Sequence, residues 1–371
     1  MKMLINSKNI DWESSQSYYY FNEKHPQASV LKDLASQCPF FKGSIYLFTS
    51  SYQKICILSK EALLASAQAV HQHLDIQPKE KWLLSLPLFH VGGLSILARS
   101  FVGKNPAVLG RPWNPDLWIQ QLEEEKINLT SLVPAQVYDV VKKQFKAPKR
   151  LRAVVVGGDF LSESLYQKAR SLNWPLLPSY GLTEASSQVA TAELSSLNHK
   201  EKYPPLKILS HINIRENSEG LWLQSSSLLK GYFYRQENMF KDPKDHEGWF
   251  LLEDVGQKQG EYLKIQGRKA EQIKILGEWV DFKKLSELLK DLSFSLPYQY
   301  ELLATPNERN TYEFNLVTTS FDLKAICNLQ KKFNQSVFPY EKIKKIYCVS
   351  KIEKKMVAKI SQKNLREQVG L

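Results

Sequence analysis

The stretch Ser179-Tyr180-Gly181-Leu182-Thr183-Glu184-Ala185-Ser186-Ser187-Gln188 decides how this 371-residue chain is read. It follows an apolar segment, Trp174 to Leu177, with the character of a buried strand. Pro178 is expected to end that strand, and Gly181 to permit a tight turn after it. Thr183 then offers a hydroxyl and Glu184 a carboxylate, side by side at a strand end. A hard cation such as Mg2+ prefers oxygen ligands and is commonly shared between one carboxylate and a substrate's phosphates. The pair therefore suits a nucleotide phosphate with its Mg2+. Taken alone, the same residues also describe a strand and an ordinary turn.

Upstream of this stretch, strand and helix patterns alternate. Apolar strands are expected at Ile45 to Thr49, Trp82 to Leu86, Leu129 to Val133 and Leu151 to Val156, the last ending in Gly157-Gly158. Helical spacing covers Glu61 to His73, Trp113 to Lys126, Ala135 to Gln144 and Ser162 to Leu172. Asn114-Pro115-Asp116 supplies a cap, a first-turn proline and an early acid. Such alternation argues for an α/β fold with a mostly parallel sheet covered on both faces. Ligands in such sheets sit at the carboxyl ends of the strands, where Gly157-Gly158 and the opening stretch both fall.

Downstream of about Ala192 the texture changes. Lys207 to Phe233 carries short β-like runs and the turn Glu216-Asn217-Ser218-Glu219-Gly220, which reads as an antiparallel subdomain. Gly267-Arg268-Lys269-Ala270 then interrupts the chain, and a smaller Lys-rich α+β segment follows. The expected division is a large domain over 1–266 and a small one over 267–371.

Composition narrows the class. A hydrophobic fraction of 43% and an aromatic fraction of 11% are those of a globular chain with an ample core. The four cysteines lack CxxC spacing, so neither a zinc site nor a disulfide framework is expected, and a reducing cytoplasm is the natural compartment. Met1 to Trp12 lacks the apolar core and cleavage site of a signal peptide. The most apolar stretch, Leu83 to Val102, is interrupted by Pro87, His90, Gly92, Gly93 and Arg99. It makes a poor membrane span and a better strand, loop and short helix.

The net charge of +12 is uneven, with 12 Lys/Arg against 4 Asp/Glu after residue 320. A basic tail binds nucleic acid, steers an anionic small molecule or is a solvated face. The aromatic strand motif of base-stacking modules is absent, so nucleic acid is not expected.

Further segments fall in a telling order: Phe48-Thr49-Ser50-Ser51 with Lys54, Pro87-Leu88-Phe89-His90-Val91-Gly92-Gly93, Gly157-Gly158, the opening stretch and Lys230-Gly231-Tyr232. Gly248-Trp249-Phe250 with Asp254, Gly267-Arg268-Lys269 and Ala358-Lys359-Ile360 complete the series. Together they resemble the adenylate-forming superfamily of acyl- and aryl-CoA synthetases and luciferases over nearly the whole chain. Within it, Leu86 to Ser100 and Glu184 to Gln188 look most like the o-succinylbenzoate–CoA ligases of menaquinone biosynthesis.

That resemblance implies a large AMP-binding domain, a small mobile domain and a two-step reaction. A carboxylate attacks the α-phosphorus of ATP to give an acyl-adenylate and pyrophosphate. The thiol of coenzyme A then displaces AMP. It implies that Thr183 and Glu184 contact the phosphates and Mg2+, with Tyr180 on adenine and Thr49, Ser50 and Lys54 in the phosphate loop. Asp254 would hold the ribose, with a turn Asp as the plainer alternative. Arg268 would contact ribose or phosphate, the alternative being a linker charge. Lys359 would be the catalytic lysine, singled out among many lysines by Ala358, Ile360 and Leu365-Arg366. His90 would gate the acyl site unless it is a structural histidine. Gly158 and Ser187 would line the acyl pocket, although Ser187 also suits a helix cap. The basic tail would favour the approach of CoA, which carries several phosphates.

Several departures matter. The loop Thr49-Ser50-Ser51-Tyr52-Gln53-Lys54 contains no glycine, whereas glycines let backbone N–H groups wrap phosphates. Losing two or three hydrogen bonds of about 1 kcal/mol each corresponds to roughly 10²-fold in ATP affinity. Leu252-Glu253 replaces the usual Thr-Gly, Ala270 stands where a hinge Asp is usual, and only about 45 residues precede the loop. The alternatives to an acid–CoA ligase are an acyl- or aryl-AMP ligase for another acid, and a member that binds nucleotide or CoA without turnover.

Overall fold

The computed structural model describes residues 4–5, 9–23, 41–48, 54–199, 203–234, 237–268, 272–275, 278–307, 311–352 and 362–370. The chain divides into two compact units. The first comprises Met1–Leu252 with Gly256–Ile265, the second Glu253–Val255 with Gln266–Leu371.

In the first unit, a nine-stranded sheet carries five parallel strands: Leu176–Leu182, Ala153–Val156, Leu129–Leu132, Trp82–Leu84 and Ala107–Leu109, in that spatial order. Beyond Leu176–Leu182, Ser187–Thr191 and Leu206–Ile208 continue the sheet antiparallel. Trp82–Leu84, Leu129–Leu132 and Ala153–Val156 are buried at every position, because helices cover the sheet. Those helices are Val91–Gly103, Pro115–Glu124, Pro134–Lys142 and Glu163–Ser171. Their starts are encoded locally. Asn114 Oδ1 accepts from the Asp116 and Leu117 N–H groups at 3.0 and 3.1 Å, with Pro115 in the first turn. Ser162 Oγ accepts from Leu165 N–H at 3.2 Å.

A six-stranded sheet contains Ser44–Phe48, Lys54–Ser59 and Gly231–Tyr234 side by side. Helix Lys60–His73 follows directly, capped by Ser59 Oγ on Ala62 N–H at 3.0 Å. A third, antiparallel sheet joins Asn213–Asn217, Gly220–Gln224 and Phe250–Leu251. The region Lys207 to Phe233 is therefore antiparallel as expected, but its strands serve three sheets rather than one subdomain.

The second unit has its own core, built on Leu285, Leu289, Leu302, Phe314, Leu316, Ile326 and Phe333. Strands Tyr300–Asn307 and Thr311–Thr318 pair antiparallel, and Ile343–Cys348 joins parallel to the latter. Helices Phe282–Ser293, Leu323–Gln335 and Gln362–Gln368 belong to it. No helix among the described residues is long and apolar enough to cross a membrane.

The structure corrects the expectation at Pro178. The strand runs through it to Leu182. Ala192 N–H donates to Pro178 O at 2.9 Å, and the answering bond, to the Ala192 carbonyl, is one a proline cannot make. His73 Nε2 makes it instead, at 3.0 Å. Gly181 is likewise not a turn residue. It lies in the strand, where a Cβ would stand 2.0 Å from the Ser187 carbonyl oxygen.

Candidate active site

The reversal after Leu182 is made by a single 3₁₀ turn, Thr183–Ala185, followed by Ser186 at φ 56° and Ser187 at φ 121°. Two successive non-glycine residues at positive φ cost about 1–3 kcal/mol each and persist only when their surroundings fix them. Here Ser186 Oγ donates to Ser227 O at 2.7 Å, and Leu229 N–H donates to the Glu184 carbonyl at 2.8 Å. The segment Ser227–Leu229 thus holds the turn from below and leaves the Glu184 side chain half-buried.

The Glu184 carboxylate accepts a 2.5 Å hydrogen bond at Oε1 from the Tyr232 hydroxyl. The Lys54 ammonium stands 3.8 Å from the centre of the Tyr232 ring. Strand register explains this: Cys56 faces Tyr232 and Lys54 faces Tyr234 across an antiparallel pair. Lys54 and Tyr232 are therefore diagonal neighbours on one face. Beneath them burial pushes the Cys56 thiol well up, and the charge of Glu184 raises it further.

Behind the turn lies a buried polar cluster. Helix Val91–Gly103 begins at His90, its N-cap, whose imidazole burial holds below the usual histidine range. Gly93 lets that helix press on the preceding loop, because a Cβ there would stand 2.3 Å from the Pro87 carbonyl oxygen. Two turns on, Arg99 is 2% exposed. Its Nη2 donates to Gln188 Oε1 at 2.6 Å and, at 3.4 Å, to Ser187 Oγ; its Nη1 reaches Ser131 Oγ at 3.4 Å. Ser187 Oγ also meets Ser95 Oγ at 3.4 Å. Trp82 lies under the guanidinium at 5.2 Å, and Arg99 Nε has no hydrogen-bond partner among the described residues. Burial pulls the Arg99 pKa down to about 9, so it is a cation at neutral pH.

The structure brings Lys54, Glu184 and Tyr232 together, and separately Ser187 with Arg99 and Gln188. Tyr180 is half-buried in the strand, paired with Ala190. Gly158 follows the parallel strand Ala153–Val156 at φ +81°. Ser187 opens a strand and caps no helix. Asp254 opens strand Asp254–Gln259, and Arg268 closes strand Tyr262–Arg268. Thr49, Ser50 and Lys359 lie outside the described residues, as does Ala270; so does the side chain of Arg268. Arg99 and Tyr232 had no assigned role. The signal for Arg99 was present: it is the one Lys, Arg, Asp or Glu between Leu83 and Val102.

These residues fit MgATP. Among the described residues no group of three or more His, Cys, Asp and Glu converges into a metal cage. A half-buried carboxylate beside a lysine instead suits Mg2+ carried on phosphates, which supply most of its ligands.

The chain is similar to several known proteins. Residues 49–217 match the AMP-binding enzyme family. A 2-succinylbenzoate–CoA ligase of Bacillus velezensis is 27% identical over 226 residues, covering 58% of this chain and 46% of the relative. The Listeria monocytogenes ligase of the same name is 25% identical over 82% of this chain and 64% of its own length. The chain thus spans about half the length of the first of these relatives. Among solved structures, o-succinylbenzoate–CoA synthetase (MenE) from Bacillus subtilis, in complex with ATP and magnesium, superposes with a TM-score of 0.78 at 17% identity, covering 100% of this chain and 88% of that one. Wild-type Escherichia coli MenE superposes at 0.69 with 21% identity, covering 95% and 82%. The chain thus carries an AMP-binding segment over residues 49–217 and shares the fold of these synthetases.

Proposed function

We propose that the chain is an ATP-dependent acid–CoA ligase, acting in menaquinone biosynthesis. It would convert o-succinylbenzoate, ATP and CoA to o-succinylbenzoyl-CoA, AMP and pyrophosphate through an acyl-adenylate. The observation that carries the choice of acid is Arg99. It is a fully buried cation whose hydrogen bonds go to neutral groups, Gln188, Ser187 and Ser131. o-Succinylbenzoate has two carboxylates. One is activated, and the other requires a counter-charge once it leaves water. Arg99, presented through Ser187 and Ser95, meets that need, and a monocarboxylic acid would leave it unused. The relatives' name, 2-succinylbenzoate–CoA ligase, supports the same acid.

In this reading residues 1–266 form the AMP-binding domain and 267–371 the small domain with the catalytic lysine. Bound Mg2+ would offset phosphate charge. Glu184 would hold it, while Lys54, Thr49, Ser50 and Thr183 contact the phosphates. Tyr180 would face adenine, and Asp254 and Arg268 the ribose side. His90, neutral through burial, would flank the acyl pocket with Gly158 and Ser187 and add no charge to compete with Arg99. Lys359 would stabilise charge developing between the attacking carboxylate and the α-phosphate, a role worth on the order of 10²–10³ in rate. The cysteine usage supports a reducing, cytoplasmic setting.

The test is pyrophosphate release with ATP, Mg2+ and o-succinylbenzoate, with and without CoA, from wild type and Lys359→Ala. Release that depends on the acid, with thioester formed only when CoA is present, is the expected result. Measurable ATP binding without release for any acid would favour a binder without turnover. Turnover unchanged in Lys359→Ala would remove that lysine from the reaction.

A further inference from the structure

We propose that Tyr232 is a positioning residue for the phosphate end of the nucleotide site: its hydroxyl orients the Glu184 carboxylate while its ring seats the Lys54 ammonium. The inference rests on the nucleotide reading above and adds a residue to which that reading gives no task.

Three features of the geometry carry it. The Tyr232 O–H to Glu184 Oε1 distance of 2.5 Å is that of a short, charge-assisted bond. A carboxylate fixed at one oxygen cannot rotate about its terminal torsion, so Oε2 has a defined direction. Among the described residues Oε2 accepts no hydrogen bond, leaving it to face a cation. Second, the ring is not a bystander. Lys54 lies over its face at 3.8 Å, within the range where an ammonium is held by the ring quadrupole. Tyr234 meets the Tyr232 ring edge-on at 5.9 Å and fixes its tilt. Third, the backbone leaves little freedom. Gly231–Tyr234 pairs residue by residue with Lys54–Ile57, so the strand that begins at Lys54 and the strand that bears Tyr232 cannot shift independently.

The chemical need follows from the sequence. The loop before Lys54 contains no glycine, so backbone N–H groups are poorly suited to wrapping phosphates. Side chains must supply more of the positive field and of the metal attachment. A side chain that engages both the carboxylate and the ammonium, without a direct ion pair between them, meets that demand. Tyrosine does so because its hydroxyl bonds one and its π-face the other.

The experiment uses the full chain and two variants, Tyr232→Phe and Tyr232→Leu. ATP binding is measured by calorimetry across a Mg2+ series, alongside unfolding temperature without nucleotide. Tyr232→Phe keeps the ring and loses the hydroxyl. It is expected to raise the Mg2+ concentration for half-maximal ATP binding roughly tenfold, the scale of one charge-assisted hydrogen bond. ATP binding without Mg2+ should stay within about twofold. Tyr232→Leu is expected to weaken Mg2+-free binding as well, because Lys54 loses its seat. A wild type that binds MgATP with Tyr232→Phe indistinguishable from it overturns this inference and leaves the nucleotide reading intact. A lowered unfolding temperature with an unchanged Mg2+ dependence overturns it too, since that is a structural role only. A wild type that binds no ATP at any Mg2+ concentration overturns both.

Discussion

Arg99 Nη2 donates to Gln188 Oε1 at 2.6 Å, so a buried cation is held by a neutral amide where a carboxylate partner would normally be found. Gln188 is in turn fixed, because its Nε2 donates to Thr191 Oγ1. The acceptor geometry around the guanidinium is therefore built in advance, while no carboxylate among the described residues balances its charge.

Replacing a buried charge by a well-packed apolar side chain is often neutral or stabilising, whereas the ligand that uses the charge loses its partner. Arg99→Met should therefore separate the two. We expect the KM for o-succinylbenzoate to rise roughly 10- to 100-fold, the scale of one hydrogen-bonded charge. ATP affinity should stay unchanged. Stability should remain within about 1 kcal/mol of wild type or increase, part of the gain being offset by the Gln188 oxygen left without its donor. Steady-state kinetics and urea unfolding decide the point. A large loss of stability with an unaltered KM would mean that Arg99 serves the fold alone.

His73 supplies the hydrogen bond that Pro178 cannot make to the Ala192 carbonyl. A buried acceptor left without a donor costs about 1–3 kcal/mol. His73→Ala should lower stability by that amount in urea titrations followed by tryptophan fluorescence. Pro178→Ala restores an N–H at the vacant ladder position, so the double variant should recover at least half of the loss. Equal destabilisation of the single and double variants would show that His73 acts through its packing and not through this bond.

The sequence was most legible where local chemistry and periodicity agreed. Asn114-Pro115-Asp116 marked a helix start, the apolar run through Ala153–Val156 marked a parallel strand, and Glu184 stood out as a carboxylate at a strand end. It was misleading at Pro178, because the residue that compensates the missing N–H lies 105 positions upstream at His73. Arg99 was visible as a charge in an apolar stretch, but sequence alone made it an obstacle to a membrane span and not the centre of a buried polar cluster. Tyr232 stands in one of the matching segments, where sequence alone gives it no role. Its meaning depends on a cross-strand register that pairs it with Cys56 and sets Lys54 diagonally. Positive φ at Ser186 and Ser187 had no sequence signal, since neither residue is a glycine or asparagine.

His211 is the clearest pH-sensitive group outside the site. Both ring nitrogens lack hydrogen-bond partners among the described residues, and burial pulls the pKa from 6.5 down to about 4. A depressed histidine pKa means that the unfolded chain binds a proton which the folded chain refuses. Its contribution is therefore full above pH 6.5 and is lost as pH falls from 6.5 towards about 4. At about pH 5 that loss amounts to roughly 1–2 kcal/mol. His211→Phe removes the titration and keeps a ring of similar size in the same place. It should flatten the difference in unfolding free energy between about pH 7.5 and pH 5, and be more stable than wild type at the lower value. It should also gain slightly at the higher pH, because two buried nitrogens without partners are replaced by carbon. Denaturant midpoints for both proteins at the two pH values test this. Parallel pH slopes would show that His211 is protonated in the folded state as readily as in the unfolded one.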